Sequence, residues 1–228
     1  MTLAGHDGDP KAQIAVFDVC DTLYYSNTTH DFVRFVMASE QLSVAKLAFL
    51  TVNSRILPFR YALIAYGVYT GNDLLKHYNV SRLKGKTRRE LELLSRKFVG
   101  EFLAHRPISK TQELFRTLQE AKTQMVLCSS SIEPVVGAVA QHLGVSDYLA
   151  TKLEYNADSF TGKIAEDITG KKLDAIERAG FGGRLTVAVS DNWSDKDLLL
   201  AADHGIVVSY GGRGEERWTN YSFEMIRV

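Results

Sequence analysis

Acidic side chains directly follow two of the short apolar segments in this chain. They are Asp18 and Asp21 after the first segment, and Asp191 and Asp195 after a later one. Converging carboxylates repel one another unless a cation lies among them, and oxygen ligands of this kind suit Mg²⁺. A carboxylate beside a metal ion can also attack a phosphorus atom and form an aspartyl phosphate. The pattern predicts a Mg²⁺ site and favours Asp18 as the nucleophile, since it stands directly at the end of its segment.

A third apolar segment runs into three consecutive serines. Ser129 ends this segment, and the residues after it open a predicted helix. The N-terminus of a helix offers unpaired N–H groups and a favourable dipole to a phosphate. Ser130 has a second interpretation, because Glu133 follows it at the spacing of a capping box. Phosphate contact and helix capping therefore both remain open for Ser130.

Two lysines stand immediately before the last acidic segment. Lys171 and Lys172 open a predicted helix, where their charge opposes the helix dipole. A phosphate and a metal ion need further fixed positive charge in the transition state. One of these lysines is therefore a candidate for that role, while an ordinary surface position is the alternative for each.

The second acidic cluster also has a structural interpretation. Ser194 and Asp195 begin a predicted helix, with Asp197 completing a cap from Ser194. This would account for Asp195 and Asp197. It would not account for Asp191, which precedes the cap and follows an apolar segment.

These residues require a sheet that brings them together. Short apolar runs that end in polar or turn residues are typical of buried strands, and amphipathic patterns between them are typical of helices. Their alternation predicts a parallel sheet with helices on both faces, in which ligands bind beyond the carboxyl ends of the strands. The predicted strands are 14–17, 125–128, 185–189 and 206–208, and the predicted helices are 111–121, 132–143, 172–179 and 195–202.

The pattern changes to amphipathic helices between Leu23 and Pro107, most clearly over 88–104. This block is too long to be a loop within a compact domain. We expect a helical insertion over the active edge of the sheet. The catalytic core would comprise residues 1–23 and 108–228, and the cap residues 24–107.

Charge and composition narrow the class of protein. Lys+Arg and Asp+Glu both total 27 in 228 residues, which gives no electrostatic reason to expect a nucleic acid partner. Two cysteines make no disulfide framework, and the polar first residues lack the apolar stretch of a secretory signal. The apolar region 42–69 is too interrupted to span a membrane, although it is a candidate contact with a membrane surface or a partner. We expect a soluble cytoplasmic protein, with an oligomeric state that the sequence does not indicate.

Taken in order, the motifs resemble the four short motifs of the haloacid dehalogenase superfamily. Residues 17–23 (Phe-Asp-Val-Cys-Asp-Thr-Leu) resemble the first, and 126–129 (Val-Leu-Cys-Ser) the second. Lys172 is similar to the third, and 190–195, with acidic residues at its second and last positions, to the fourth. The long helical insertion resembles the subgroup that contains phosphoserine phosphatase, as do the stretches 149–154 and 160–164.

This resemblance implies an α/β protein with a Rossmann-like core and an inserted α-helical cap. It also implies Mg²⁺ and hydrolysis of a small-molecule phosphate monoester through an aspartyl phosphate. Asp18 would be the nucleophile and a metal ligand, with Asp191 and the backbone carbonyl of Cys20 as further ligands. Asp195 would support the metal site indirectly, through contacts with the residues that bind the metal.

The resemblance also assigns the residues that hold the substrate. Ser129 would hydrogen-bond the phosphoryl oxygens, with Ser130 beside it, and Lys172 would orient Asp18 and the phosphate. Lys172 is preferred to Lys171 because the apolar positions that follow it then have the spacing of the family.

Cys20 departs from the pattern of the family. Its phosphatases normally carry Asp two residues after the nucleophile, where it protonates the leaving group and then activates water. A neutral thiol is a poor general acid, so a rate penalty of ~10²–10⁴ is expected unless Asp21 takes over. Dehalogenases and phosphonatases also lack that Asp. Two alternatives therefore stay open: a phosphotransferase or other non-phosphatase enzyme of this type, and a binding or regulatory module with a degenerate site.

Overall fold

The computed structural model describes residues 13–39, 49, 51–53, 61–62, 65–66, 73–181 and 184–228. Its strands are β1 (Gln13–Phe17), β2 (Gln124–Ile132), β3 (Asp147–Asn156), β4 (Ser159–Glu166), β5 (Arg184–Ser190), β6 (His204–Ser209) and β7 (Glu224–Arg227). They form a seven-stranded sheet in the order β4-β3-β2-β1-β5-β6-β7. Neighbouring strands are parallel except β3 and β4, which pair in antiparallel fashion. The predicted α/β fold with a parallel core sheet is confirmed.

The helices flank this sheet and also form the insertion. They are α1 (Thr28–Ser39), α2 (Leu74–Ser81), α3 (Arg88–Glu101), α4 (Ser109–Glu120), α5 (Glu133–Leu143), α6 (Lys172–Arg178) and α7 (Lys196–Ala201). Short 3₁₀ turns occur at Leu103–His105, Trp193–Asp195 and Gly212–Trp218. We call α1, α2 and α3 the cap helices, because they follow β1 as the predicted helical insertion. The boundaries of the cap at residues 24 and 107 remain predictions, and most of the apolar region 42–69 lies outside the described residues.

Local sequence signals explain where several helices begin and end. The first turn of α3 has a reciprocal capping box, in which Glu90 N donates to Thr87 Oγ1 at 3.2 Å and Thr87 N donates to Glu90 Oε2 at 2.6 Å. At the end of α5, Gly144 adopts a left-handed conformation with φ of 69°, which is typical of a glycine that terminates a helix.

The cap helices pack into the same core as one face of the sheet. Successive residues of a strand point to opposite faces, so β1 contributes to two cores. Phe17 is buried in a cluster that includes Phe32 of α1 and Phe98 of α3. Val16 is buried in the other cluster, with Ile176 of α6. This shared packing places the start of α1 directly beside the carboxyl end of β1.

The structure overturns one sequence prediction at the end of β2. The strand runs on to Ile132, so the serines extend the strand instead of opening the next helix. Helix α5 begins at Glu133 with Ile132 as its N-cap residue and without a side-chain cap. The capping box predicted for Ser130 and Glu133 is therefore wrong. Pro134 in the first turn suits this start, since proline has no N–H to leave unpaired there.

Among the residues that the structure describes, no helix has the length and apolar character needed to cross a bilayer.

Candidate active site

The predicted site residues converge at the carboxyl ends of β1, β2 and β5. Asp18 continues the ladder between β1 and β5, because its N–H donates to the carbonyl of Val189 at 3.0 Å. Its carboxylate is 4% exposed, and Oδ1 accepts a hydrogen bond from Val19 N at 2.7 Å. The sheet and the following peptide therefore fix both the position and the orientation of this carboxylate.

Lys172, rather than Lys171, reaches the site. Its Nζ lies 2.9 Å from Asp18 Oδ2 and 2.6 Å from Asp195 Oδ2, whereas Lys171 is exposed. Ser190 Oγ donates to the same Asp195 oxygen at 2.6 Å. Buried charges are tolerated when they are paired and hydrogen-bonded in this way.

Burial and charge act in opposite directions on this group of residues. Burial lowers the pKa of Lys172, but the carboxylates of Asp18 and Asp195 raise it by more, so the lysine stays protonated. Burial raises the pKa of Asp18, the ammonium of Lys172 opposes this, and Asp195 adds to it, with a net increase. Lys172 is thus a fixed cation held against the candidate nucleophile.

Asp195 does not cap the helix that follows it. Helix α7 begins at Lys196 without a side-chain cap, so the cap predicted from Ser194 and Asp197 is wrong. The preceding 3₁₀ turn is instead capped by Asn192, whose Oδ1 accepts from Ser194 N at 3.0 Å. The carboxylate of Asp195 is thereby left to hold Lys172.

Asp191 is held by a threonine that sequence reasoning missed. Thr22 Oγ1 donates to Asp191 Oδ1 at 3.2 Å and accepts from Asp191 N at 3.1 Å. Burial, followed by the charges of Asp18 and Asp21, raises the pKa of Asp191 to about 8. The only sequence signal for Thr22 was its place within the first motif.

The oxygen donors of this site fit a hard divalent cation. Asp18, Asp191 and the carbonyl of Cys20 would supply oxygen only. Burial is the main cause of the raised pKa of Asp191, and the charges of Asp18 and Asp21, which a cation would offset, add to it. Within the described part of the chain, no three His, Cys, Asp or Glu side chains are grouped to hold a metal. Mg²⁺ is usually bound by one or two carboxylates and completes its ligands with water and substrate.

The side chain of Cys20 points toward hydroxyl groups. Its Sγ lies 2.9 Å from Thr28 Oγ1 and 3.8 Å from Ser129 Oγ. Burial, followed by the charge of Asp18, raises the pKa of the thiol to about 11. The thiol is therefore neutral near pH 7 and lies beside Ser129, the predicted phosphate ligand. Thr28, at the start of α1, was not predicted from the sequence.

Asp21 lies in a turn with a left-handed backbone, φ 45°. The turn is fixed by Tyr210, whose hydroxyl donates to the Asp21 carbonyl at 2.9 Å, and by the N–H of Asp21, which donates to Ser26 O at 3.3 Å. Burial raises the pKa of the Asp21 carboxyl, and the charges of Asp18 and Asp31 raise it further. This partly exposed carboxyl therefore holds a proton more readily than an isolated Asp.

Ser130 follows the phosphate-binding candidate Ser129 within β2. Its carbonyl accepts a hydrogen bond from Thr151 Oγ1 of β3 at 2.9 Å. The next residue, Ser131, is buried, and its Oγ lies 2.9 Å from Thr29 Oγ1 of α1. The end of β2 is therefore tied on both sides, and a direct phosphate contact by Ser130 stays a prediction.

Comparisons with known proteins show which proteins this chain resembles in sequence and in fold. The chain is 24% identical to phosphoserine phosphatase SerB1 of Mycobacterium tuberculosis over 247 aligned positions, which cover 100% of this chain and 77% of the relative. A solved structure of a Bordetella pertussis protein of unknown function superposes with a TM-score of 0.75 at 17% identity, covering 95% of this chain and 98% of that one. A phosphoserine phosphohydrolase-like protein of Francisella tularensis gives a TM-score of 0.60 at 16% identity, with 95% and 94% covered.

A comparison with protein-family models identifies the family of the chain. The model for haloacid dehalogenase-like hydrolases matches residues 15–200, which contain every strand end of the site described above. The match covers well over half of the 228 residues. This chain therefore belongs to the haloacid dehalogenase-like hydrolases.

Proposed function

We propose that the protein is a Mg²⁺-dependent phosphatase that hydrolyses a small-molecule phosphate monoester through an aspartyl phosphate on Asp18. The observation that carries this proposal is the buried pair in which Lys172 Nζ lies 2.9 Å from Asp18 Oδ2. A carboxylate held in this way, beside Ser129 and Asp191, has the surroundings that a nucleophile toward phosphorus needs. The name of the Mycobacterium tuberculosis relative, phosphoserine phosphatase, supports the same activity.

Each side chain has a distinct task in this proposal. A carboxylate oxygen of Asp18 attacks phosphorus, the ester oxygen leaves, and water then hydrolyses the aspartyl phosphate. Lys172 offsets negative charge on the nucleophile and the phosphoryl group, and Ser129 donates a hydrogen bond to a phosphoryl oxygen. Asp18, Asp191 and the carbonyl of Cys20 would hold Mg²⁺. When bound, the ion withdraws charge from the phosphoryl oxygens.

The proton for the leaving group is best supplied by Asp21. The thiol of Cys20 has its pKa raised to about 11 and is too weak an acid for this purpose. The Asp21 carboxyl has a pKa raised by burial and by Asp18, which favours the protonated form that a general acid needs.

The direct test measures inorganic phosphate released from a panel of phosphate monoesters in the presence of Mg²⁺. We expect turnover that EDTA abolishes and added Mg²⁺ restores. Asp18→Asn should abolish turnover while leaving the circular dichroism spectrum unchanged. Asp197→Asn is the matched control, because this carboxylate lies on α7 with a side chain 76% exposed and should be dispensable. Turnover that persists in Asp18→Asn would remove Asp18 from the mechanism.

A second candidate, a phosphotransferase, is favoured by Cys20 at the position of the usual acid. If no residue replaces that acid, hydrolysis of the aspartyl phosphate slows and another acceptor can take the phosphoryl group. Intact-protein mass measurement after incubation with an ester distinguishes the two. Multiple turnover without accumulated phosphoprotein supports the phosphatase, and a persistent phosphoprotein supports the transferase. Neither signal with any ester would point to a binding or regulatory module.

A further inference from the structure

A buried lysine connects the cap helices to the core beside the candidate active site. Lys76 lies on α2, and its side chain is only 8% exposed. Its Nζ donates to Thr151 Oγ1 at 3.0 Å, to Asp167 Oδ1 at 2.8 Å and to Thr169 Oγ1 at 3.2 Å. The three N–H groups of the ammonium are thus all satisfied by acceptors from the core. Burying a lysine costs free energy unless it is fully paired, so this arrangement is specific to one placement of α2 on the core.

The first of these acceptors leads to the phosphate-binding end of β2. Thr151 is fully buried on β3, which pairs alongside Ser129 and Ile132 of β2. Its hydroxyl accepts from Lys76 and donates its own hydrogen to the carbonyl of Ser130 at 2.9 Å. A single hydroxyl therefore connects the cap lysine to the peptide that follows Ser129.

The other two acceptors lead to the catalytic lysine. Asp167 Oδ1 accepts from both the N–H and the hydroxyl of Thr169, at 2.9 and 2.7 Å, which closes a tight turn. The N–H of Lys171 then donates to Ile168 O at 3.0 Å and brings the chain to Lys172, the first residue of α6. Burial raises the pKa of Asp167, but the charge and hydrogen bonds of Lys76 and Thr169 lower it by more, so this carboxylate stays ionised against the ammonium.

We propose that Lys76 is a positioning residue for the phosphoryl transfer. When α2 packs on the core, the ammonium of Lys76 fixes two segments: the end of β2 that carries Ser129, and the turn that precedes Lys172. When α2 is not packed there, neither segment is held in this way. This inference rests on the proposed function of the site, and it adds a coupling between the cap and two groups that would contact the phosphate. A displacement of ~1 Å in such groups can cost ~10² in rate.

The test compares three variants of the full chain. Lys76→Met keeps the length of the side chain but removes the charge and all three hydrogen bonds. Lys152→Met is the matched control, because Lys152 lies next to Thr151 and pairs with Glu166 at 2.9 Å while 59% exposed. Thr151→Val keeps the Lys76–Asp167 pair but removes the hydroxyl, which accepts from Lys76 and donates to Ser130 O and Asp167 Oδ1. It therefore tests the connection to Ser130 even if Lys76→Met fails to fold.

Two readouts separate positioning from a merely structural role. We expect kcat to fall ~10–100-fold in Lys76→Met with little change in KM, and less than about twofold in Lys152→Met. Hydrogen exchange, measured without substrate, should rise at 129–132 and 167–172 in Lys76→Met and at 129–132 in Thr151→Val, with the rest of the sheet unchanged.

The exchange measurement keeps this inference separate from the proposed function. If the wild-type protein hydrolyses no phosphate ester, the proposed function fails, while the exchange pattern still tests the coupling. Unchanged exchange at both segments in a folded Lys76→Met, or at 129–132 in Thr151→Val, would overturn it. So would a uniform increase in exchange across the sheet, since that indicates a loss of stability only.

Discussion

At the scale of single residues, the thiol of Cys20 raises the question of how the leaving group is protonated. Its backbone carbonyl can bind metal whatever the side chain is, so Cys20→Asp should leave the metal site intact. The new carboxyl would supply a general acid beside Ser129. We expect turnover of alkyl phosphates to rise by ~10-fold or more, with a much smaller gain for nitrophenyl phosphate, whose leaving group needs little protonation. Steady-state kinetics with both substrate classes measures this, and Cys20→Ser is the control that adds no acid.

Asp21→Asn tests whether the neighbouring carboxyl already does this work. If Asp21 is the acid, this change alone should cost ~10²–10⁴ in kcat for alkyl phosphates. The turn itself should survive, because Asn also tolerates the left-handed conformation observed at Asp21, φ 45°. A harmless Asp21→Asn together with no gain in Cys20→Asp would show that the chemistry needs no acid at this place.

Lys172 has two proposed functions, one in catalysis and one in stability, and mutation can separate them. Lys172→Met removes the cation between Asp18 and Asp195, whose buried oxygens lie 2.9 and 2.6 Å from Nζ. We expect a loss of ~3–5 kcal/mol in the free energy of unfolding, measured with urea, because buried negative charge is left without its partner. The double variant Lys172→Met/Asp195→Asn should recover much of that stability without recovering turnover. Recovery of both would mean that Lys172 only stabilises the fold.

At the scale of secondary structure elements, the apolar runs correctly predicted the strands that carry the site, but not how far they extend. The run that ends at Cys128 does not reveal that β2 continues to Ile132, because Ser129 and Ile132 join the strand by pairing with Ala150 and Thr151 of β3. Pairing of this kind depends on a distant segment. The antiparallel β3–β4 pair and β7 were not assigned because they lie toward the two edges of the sheet and carry exposed or half-buried positions rather than a continuous apolar run.

Residues of the candidate site that belong to a sequence motif could be predicted. Residues that join the site only through a contact formed in the folded structure could not. Asp18, Ser129, Lys172 and Asp191 were predicted because each ends or follows an apolar run or opens a predicted helix. Thr22, Thr28 and Tyr210 were missed, since their roles are hydrogen bonds to residues that the fold brings near. The sequence around a threonine or tyrosine gives no sign of such a partner.

The approach of α7 to the sheet depends on one glycine in β6. A Cβ at Gly205 would lie 2.6 Å from the carbonyl oxygen of Leu199 and 2.7 Å from Cδ1 of Phe223. Backbone cannot give way cheaply, so Gly205→Ala should reduce the free energy of unfolding by ~1–3 kcal/mol. Gly100→Ala is the control, because no heavy atom within 4 Å would meet its Cβ in α3, and alanine there should stabilise by ~0.5–1 kcal/mol. Equal effects in urea unfolding would contradict this account of the packing.

At the scale of the whole molecule, the strand order concentrates charge at one point. Because β1 lies between β2 and β5, Asp18 has Ser129 on one side and Asp191 on the other. The overall charge is balanced, yet several carboxylates meet within this buried edge of the sheet. Folding without a cation therefore works against electrostatic repulsion, and the stability of the protein should depend on both pH and Mg²⁺.

Asp191 allows this dependence to be measured. Its pKa rises from 3.8 to about 8 on folding, so the metal-free folded protein holds this proton more tightly than the unfolded chain. The stabilising contribution of the protonated carboxyl is complete below pH 3.8 and is lost as the pH rises toward about 8. Asp191→Asn cannot ionise, so in EDTA the wild type should lose thermal stability relative to this variant across that pH range.

At the upper end of this pH range, Mg²⁺ should make the wild type more stable than Asp191→Asn. At pH 8 the ionised carboxylate of the wild type would bind the cation, and a ligand that binds only the folded state raises its stability. We expect the midpoint of thermal unfolding to rise with Mg²⁺ in the wild type and much less in Asp191→Asn. Asp197→Asn should behave like the wild type throughout, because its carboxylate is exposed on α7. The opposite result would be parallel curves of the unfolding midpoint against pH for wild type and Asp191→Asn in EDTA, with equal responses to Mg²⁺. It would show that Asp191 neither has a raised pKa in the folded protein nor binds the metal.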